Sequence, residues 1–127
     1  MKEVVRTEAA PAPFQGAPYS QAIKANGFVF VSGQLALRPG ENHLAEGPIA
    51  EQTEQIFANL RAILAEAGTS LDNLVKTTVF LQDLSDFGGM NEVYARHVGD
   101  RPPARSTFEV AKLPSGALVE IEAIALL

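Results

Sequence analysis

Apolar and polar residues alternate along six stretches of the chain, as they do in strands that have one buried face. These predicted strands cover residues 2–7, 20–25, 28–36, 74–81, 104–111 and 117–126. Two other stretches, from about Pro48 to Ala67 and over 84–98, carry apolar residues at helical spacing. The pattern therefore predicts the order β-β-β-α-β-α-β-β in a single domain of residues 1–127. Two amphipathic helices on one face of a mixed sheet make this an α+β fold.

Glycine, asparagine and proline mark the ends of several of these elements. Asn26-Gly27 lies between two apolar runs and predicts a tight hairpin, because both residues tolerate a positive φ. Pro48 suits the first position of the long helix, and Gly68 suits the residue that follows it. Gly33 lies inside the third predicted strand, where glycine indicates a bulge or a close approach to the backbone.

Strand alternation also predicts which side chains face the helices. In residues 74–81 it places Val75, Val79 and Leu81 on one side of the sheet and Phe80 on the other. The helices cover only one face, so apolar residues on the other face indicate that the protein forms an oligomer.

The strand predicted at 104–111 carries an arginine. Alternation points Arg105 and Thr107 to one side and Phe108 and Val110 to the other. Phe108 and Val110 are the expected core residues of this strand. Arg105 is then expected to face a sheet edge, a partner or a cleft.

Composition and charge exclude several classes of function. Apolar residues make up 46% of the chain and charged residues 20%, which suits a packed domain. The net charge of −5 repels phosphate backbones and disfavours nucleic-acid binding. The lack of cysteine excludes disulfides and thiolate nucleophiles. His43 and His97 are too far apart in sequence to predict a metal site.

Targeting and cofactor signals are also missing from the sequence. No apolar run reaches the roughly 20 residues of a membrane span, and residues 1–10 lack the apolar core of a signal peptide. The chain carries neither a dinucleotide-binding nor a phosphate-binding glycine motif. We therefore expect a soluble, cytoplasmic protein.

Two charged residues of the predicted strands are candidates for binding and catalysis. The guanidinium of Arg105 offers a planar fork that matches a carboxylate. Glu120 lies among apolar residues of the last strand, where burial would raise its pKa and make it a plausible acid or base. From the pattern alone, an ion-paired arginine and a solvated glutamate are the simpler interpretations.

Weaker candidates lie near the second and third predicted strands. Tyr19 either lines a pocket or packs, and the Ser32-Gly33 backbone could offer N–H groups to an anion. Ser20, Ser32 and Ser106 have no histidine partner that would predict a hydrolase triad.

Three long segments together resemble the RidA/YjgF family of imine deaminases. They are APYSQAIKANGFVFVSGQLAL at 17–37, LVKTTVFLQDLSDFGGMNEVYA at 74–95, and RPPARSTFEVAKLPSGALVEIEAIA at 101–125. The resemblance covers nearly the whole chain, and the last segment is the most specific. The order and spacing of the segments also fit the family.

The resemblance implies a chorismate-mutase-like fold and a homotrimer with active sites in clefts between subunits. It implies hydrolysis of 2-iminopropanoate and 2-iminobutanoate to 2-oxo acids and ammonia. These imines arise from enamines that pyridoxal-phosphate enzymes release. The resemblance implies neither a cofactor nor a metal for the protein itself.

The resemblance also assigns roles to individual residues. Arg105 would bind the substrate carboxylate, helped by the backbone N–H of Thr107, whose C=O would bind a water. Glu120 would hold and activate that water for attack on the imine carbon. The residues that would line the cleft are Tyr19, Ser32 and Gly33.

Two features depart from the family pattern. Thr107 stands where many members have cysteine, which leaves a backbone role intact but changes the pocket's shape and thiol chemistry. Residues 15–19, QGAPY, have one residue more between glycine and proline than is usual. The pose of Tyr19, and with it the preferred substrate size, therefore stays open.

Two other functions also stay open at this point. A non-catalytic trimer that senses small carboxylates would need Arg105 but not Glu120. Ribonuclease or translation-inhibitor activity is attributed to some relatives of the family. The acidic balance and the lack of a histidine-based acid–base pair count against that activity.

Overall fold

The computed structural model describes residues 1–41 and 43–127 and contains one six-stranded sheet with two α-helices. The strands are β1 (Glu3–Val5), β2 (Ala22–Ala25), β3 (Phe28–Gln34), β4 (Leu74–Leu81), β5 (Ala104–Glu109) and β6 (Val119–Leu126). The helices are α1 (Ile49–Ala67) and α2 (Phe87–Val98). The sheet order is β1-β2-β3-β6-β4-β5, with only the β4–β5 pair parallel. The predicted element order and mixed sheet are confirmed.

Local conformational requirements explain two of the predicted boundaries. Asn26 and Gly27 both have positive φ, 52° and 81°, and join β2 to β3 in a tight hairpin. Gly68 ends α1 in the left-handed conformation, and its N–H is donated to the carbonyls of Leu64 and Ala65. Pro48 is the N-cap residue in an extended conformation, one position before the predicted helix start.

The two helices pack on one face of the sheet and bury the central strands. The sheet residues at the centre of this core are fully buried: Val79, Leu81, Val119 and Ile121. The stripe of α1 predicted from its helical spacing faces them, with Ile56, Phe57, Leu60, Ile63 and Leu64 at 0% exposure. The opposite face of the sheet has no helix among the described residues and leaves Phe30 44% and Leu126 47% exposed.

The structure reverses the predicted orientation of β5. Phe108 pairs with Phe80 on β4 and shares its open face, where Phe108 is 44% exposed. Arg105 and Thr107 face the helix layer instead. The prediction that Phe108 is a core residue is therefore wrong. Val110 is half-buried and packs against a small second cluster of buried residues, which includes Leu35 and Leu113, rather than against the main core. The cause is the register with β4. Phe108 lies opposite Phe80, and β4 buries the face that carries Val79 and Leu81, not the face that carries Phe80, against the helices.

Val75 also departs from the alternation expected for β4. A register shift between Leu74 and Lys76 takes Val75 out of the buried row, and it is 39% exposed. Val79 and Leu81 are buried as predicted.

A single buried glutamine fastens the N-terminal arm, residues 6–18, to the sheet. The Gln21 side chain accepts a hydrogen bond from the Thr7 N–H at 2.7 Å. Its amide donates to the carbonyls of Thr7, Ala10 and Pro11 at 3.0, 3.3 and 2.8 Å. The arm is therefore attached through hydrogen bonds that depend on one side chain.

Replacing Gln21 should release this arm from the sheet. Gln21→Ala leaves the bonded backbone groups without partners, and we expect a loss of about 2 kcal/mol in the free energy of unfolding. Hydrogen exchange of the Thr7–Ala12 amides should rise sharply. Gln55→Ala, which removes a partly exposed helical glutamine, is the matched control and should change stability by about 0.5 kcal/mol or less. Unchanged exchange in Gln21→Ala would show that the arm has another anchor.

Candidate active site

A cavity of about 200 Å³ lies between the N-terminal arm and the open face of the sheet. Its polar lining includes Tyr19, Gly33, Gln34 and Glu120. The apolar residues that complete the wall include Phe14, Ala17, Leu35, Leu37 and Pro114. Three of the residues singled out in the sequence, Tyr19, Gly33 and Glu120, therefore meet in one cavity.

Gly33 allows the Glu120 carboxylate to lie directly against the backbone of β3. A Cβ added at Gly33 would be 2.0 Å from Glu120 Oε2. The pairing of β3 with β6 shifts register between Val31 and Gln34, so Ser32 and Gly33 form a bulge. Both consequences predicted for a glycine at this position, a bulge and a close approach, are confirmed.

The surroundings of Glu120 favour its protonated form. Burial raises the pKa of Glu120, and the negative charge of Glu122, on the same face of β6, raises it further. A carboxylate with a raised pKa is a stronger base when ionised than a fully solvated one, which suits it to proton transfer.

The Tyr19 hydroxyl is held by the backbone of the arm. It accepts a hydrogen bond from the Phe14 N–H at 2.6 Å, which leaves its own proton available to a ligand. A single turn, Phe14–Gly16, in which Gln15 has a φ of 55°, precedes the extended Ala17 between the glycine and the proline. Tyr19 thus lines the cavity despite the additional residue.

Ser32 lies beside the cavity, but its polar groups are bonded to the chain. Its hydroxyl donates to the Ser20 carbonyl at 2.6 Å, and its N–H donates to the Gln21 carbonyl at 3.0 Å. These bonds hold the bulge that exposes Gly33.

Arg105 lies on the other face of the sheet, among aromatic side chains of α2. Its guanidinium carbon is 4.7 Å from the ring centroid of Tyr94 and 5.5 Å from that of Phe87. Within residues 1–41 and 43–127, no carboxylate lies within 4.0 Å of this guanidinium. The ion pair that the sequence favoured for Arg105 is therefore not formed within the described chain.

Thr107 presents its backbone to the free edge of the sheet. The N–H of Val110 donates to the Leu81 carbonyl at 2.9 Å, and the direction of backbone groups alternates along a strand. The N–H and C=O of Thr107, like those of Arg105, therefore point away from β4. β5 is the last strand of the sheet, so these groups are available to a ligand.

The Thr107 side chain adds an unpaired polar group. Its hydroxyl oxygen is buried and has no hydrogen-bond partner among the residues that the structure describes. A buried hydroxyl without a partner is uncommon and marks a position that calls for a functional or packing explanation.

One chain does not bring Arg105 and Glu120 together. Glu120 and Phe108 both pair with Phe80, so they share the open face. Arg105 is three positions from Phe108 and lies on the helix face. The candidate residues thus form two groups, a carboxylate cavity on one face and an arginine with a free strand edge on the other.

The sequence did not single out Tyr94 and Phe87 as neighbours of Arg105. Helical spacing places both on one face of α2 with Met90 and Val98, but of the two only Tyr94 is buried, and Phe87 is 39% exposed. Their contact with Arg105 depends on how α2 crosses β5, which local periodicity does not contain.

The described ranges contain neither a cluster of metal-binding side chains nor a membrane-spanning helix. No group of three or more His, Cys, Asp or Glu side chains gathers there in a way that could hold a metal ion. No helix of those ranges has the length and apolar character needed to cross a membrane.

Adding a methyl group at Gly33 tests the contact with Glu120. Gly33→Ala should push the carboxylate toward solvent and lower the pKa of Glu120 toward its ordinary value, because burial is the main cause of its rise. A carbon-detected NMR titration of the side-chain carboxyl measures this. Gly88→Ala, at a helical glycine with no heavy atom within 4 Å of the added Cβ, is the control and should leave the titration unchanged. An unaltered Glu120 titration in Gly33→Ala would contradict the close contact.

Comparison with known proteins places the chain in a family. The family model described as Endoribonuclease L-PSP matches residues 7–127. A RutC family protein of Pyrococcus horikoshii is 50% identical over 125 residues, 98% of each chain. The mouse 2-iminobutanoate/2-iminopropanoate deaminase is 43% identical over 125 residues, 98% of this chain and 91% of its own.

Solved structures agree with the sequence comparisons. The crystal structure of RidA from an Antarctic Psychrobacter is 43% identical, with a TM-score of 0.92 over 98% of this chain and 99% of its own. The agreement covers nearly the whole chain. The chain belongs to the RidA/YjgF family, whose model is described as Endoribonuclease L-PSP.

Proposed function

We propose that the protein hydrolyses small 2-imino acids, such as 2-iminopropanoate and 2-iminobutanoate, to 2-oxo acids and ammonia. The observation that carries the proposal is an arginine that has no acidic partner within residues 1–41 and 43–127 and lies beside the free backbone groups of Thr107. The same chain also holds a half-buried carboxylate. Family membership and the name of the mouse relative support a deaminase.

Substrate binding is assigned to β5. The guanidinium of Arg105 forms two parallel hydrogen bonds to the substrate carboxylate, and the N–H of Thr107 donates a third. The C=O of Thr107 accepts a hydrogen bond from the attacking water. These contacts fix the imine carbon relative to the water, which supplies much of the acceleration for an intrinsically easy hydrolysis.

The chemical step is assigned to Glu120. The ionised carboxylate takes a proton from water as the water oxygen bonds to C2 of the protonated imine. Glu120 then returns that proton to the nitrogen, and the C–N bond breaks as the carboxylate takes the hydroxyl proton and the C=O bond forms. Ammonia and the 2-oxo acid leave, and Glu120 gives its proton to the ammonia or to water, which regenerates the ionised carboxylate. Tyr19 and Gly33 line the cavity that contains Glu120, Ser32 holds the bulge beside it, and together they limit the size of the substrate side chain.

The site requires a second copy of the chain. Arg105 and Glu120 lie on opposite faces of one sheet, so a substrate that contacts both must lie between subunits. The exposed apolar residues of the open face, including Phe30 and Phe108, give such an assembly a surface to bury. We infer the homotrimer with intersubunit active sites that the family resemblance implies.

Two alternatives make different predictions. A carboxylate-binding trimer without catalysis would keep its affinity for 2-oxo acids in Glu120→Gln and show no turnover in the native chain. Endoribonuclease activity has the family model's description in its favour, while the net charge of −5 opposes RNA binding. RNA cleavage that survives Arg105→Ala and repeated purification would support the ribonuclease.

The cytoplasmic location expected from the sequence stays a prediction.

Arg105 substitutions test the proposal most directly. Arg105→Ala should lower kcat/KM for freshly generated 2-iminobutanoate by about a thousandfold, because the carboxylate loses a bidentate, charge-assisted partner. Arg105→Lys should stay severely impaired, since an ammonium is not a planar fork. The assay follows 2-oxobutanoate formation, with Arg61→Ala on the exposed surface of α1 as control. Full activity in Arg105→Ala would refute the mechanism.

Mixing two inactive variants tests whether the site is shared between subunits. In a trimer reassembled from equal amounts of Arg105→Ala and Glu120→Gln, about a quarter of the interfaces combine an intact arginine with an intact glutamate. Activity should therefore return to about a quarter of the native level. No recovery, with mixed trimers verified by mass spectrometry, would place both residues in one subunit's site.

Glu122 should influence the pH dependence of turnover. Glu120 acts as a base only when ionised, so activity rises with pH through its pKa. Glu122→Gln removes a negative charge that raises the pKa of Glu120, so the acid limb of the kcat/KM profile should move to lower pH. Glu66→Gln, an exposed glutamate on α1, is the charge-matched control and should leave the limb in place. If the acid limb does not shift in Glu122→Gln, the group that titrates in that limb is not Glu120.

A further inference from the structure

An arginine on an edge strand needs something to fix its orientation. A guanidinium on a flexible side chain binds a carboxylate bidentately only when both N–H groups point at it together. The Arg105 guanidinium contacts aromatic faces rather than an acidic side chain. This arrangement assigns the orientation of Arg105 to α2.

We propose that Tyr94 is a positioning residue for Arg105, which holds the guanidinium in the orientation that binds a carboxylate. The proposal rests on the proposed function of Arg105 as the carboxylate-binding group. The contact itself is a cation–π interaction, with 4.7 Å between the guanidinium carbon and the ring centroid. This distance is within the roughly 6 Å over which such contacts are significant.

Tyr94 is itself held on two sides. Its hydroxyl shares a hydrogen bond of 2.5 Å with the hydroxyl of Thr77, which is fully buried. Its ring forms a T-shaped contact with Phe57, at a centroid distance of 5.4 Å and an interplanar angle of 83°. Tyr94 is only 5% exposed, so it has little freedom to follow a moving arginine.

Thr77 links the tyrosine to the strand that carries the arginine. Thr77 and Arg105 are directly opposite each other in the β4–β5 register. The Tyr94 hydroxyl is therefore hydrogen-bonded to the residue that lies opposite Arg105 on the neighbouring strand. A shift of α2 along the sheet would therefore break the hydrogen bond between the Tyr94 and Thr77 hydroxyls and, at the same time, move the ring away from the guanidinium.

An aromatic partner has an electrostatic advantage over an acidic one. A carboxylate would also hold Arg105 in place, but it would neutralise the charge and compete with the substrate for the same N–H groups. The neutral ring attracts the cation through its quadrupole and adds no negative charge that would compete with the substrate carboxylate. Phe87, at 5.5 Å, adds a second apolar contact to the guanidinium.

The experiment compares ring, hydroxyl and control substitutions. Tyr94→Leu removes the ring, Tyr94→Phe keeps it, and Thr77→Val removes the hydroxyl that fixes it. Thr53→Val is the matched control, because Thr53 is also fully buried and its hydroxyl donates to the Ile49 carbonyl within α1. Each variant is measured for thermal unfolding, for KM and kcat with 2-iminobutanoate, and for the Kd of 2-oxobutanoate.

The expected pattern separates positioning from stability. Tyr94→Leu should raise KM and the Kd of 2-oxobutanoate about tenfold and lower kcat much less, while Tyr94→Phe and Thr77→Val raise both about threefold. Thr53→Val should lower the unfolding temperature and leave KM and Kd unchanged. If KM and Kd follow unfolding temperature across all four variants, Tyr94 has only a packing role and the proposal is overturned.

A second readout does not depend on activity or ligand. The Arg105 Nε–H signal in the native protein should show ring-current displacement and slow side-chain motion by NMR. Tyr94→Leu should abolish the displacement and increase the mobility. Restricted motion in a protein that shows no deamination would support Tyr94 positioning while refuting the proposed function. Unchanged Arg105 signals in a folded Tyr94→Leu protein would refute the positioning whether or not the protein is a deaminase.

Discussion

The packing of both helices on one face of the sheet is the constraint on which the rest of the structure depends. It buries Val79, Leu81 and Ile121, and strand alternation then sends Glu120 to the uncovered face. Because β5 pairs in register with β4, the same constraint turns Arg105 toward α2. The separation of the proposed binding and catalytic groups is thus a consequence of how the core is covered.

Each proposed functional group is supported by a different kind of interaction. Backbone geometry supports Glu120, since only a glycine at position 33 leaves room for its carboxylate. Aromatic packing supports Arg105, which keeps its charge available because it is oriented without being neutralised. The backbone groups of Thr107 are free because, among the described residues, β5 is the edge strand of the sheet.

The parts of the structure that could be predicted from the sequence are those that local chemistry determines. The hairpin at Asn26-Gly27, the helix end at Gly68 and the bulge at Gly33 each depend on a few consecutive residues. The buried face of β5 could not be predicted, because Phe108 is as apolar as a core residue and only its register with β4 decides where it points. The Arg105–Tyr94 contact joins a strand and a helix, and it depends on their crossing. The resemblance of long segments to a family identified Arg105 and Glu120 where periodicity alone favoured simpler interpretations.

The unpaired edge of β5 also bears on how the protein avoids aggregation. A free row of backbone N–H and C=O groups can template pairing with a strand from any unfolded chain. Here the edge carries a charged arginine next to Thr107, and the apolar Phe108 beside it is 44% exposed. A neighbouring subunit that covers this edge would shield an adhesive surface as well as complete a site. Assembly would then protect solubility, so selection for solubility would help to preserve the shared site, and selection for the site would help to preserve solubility.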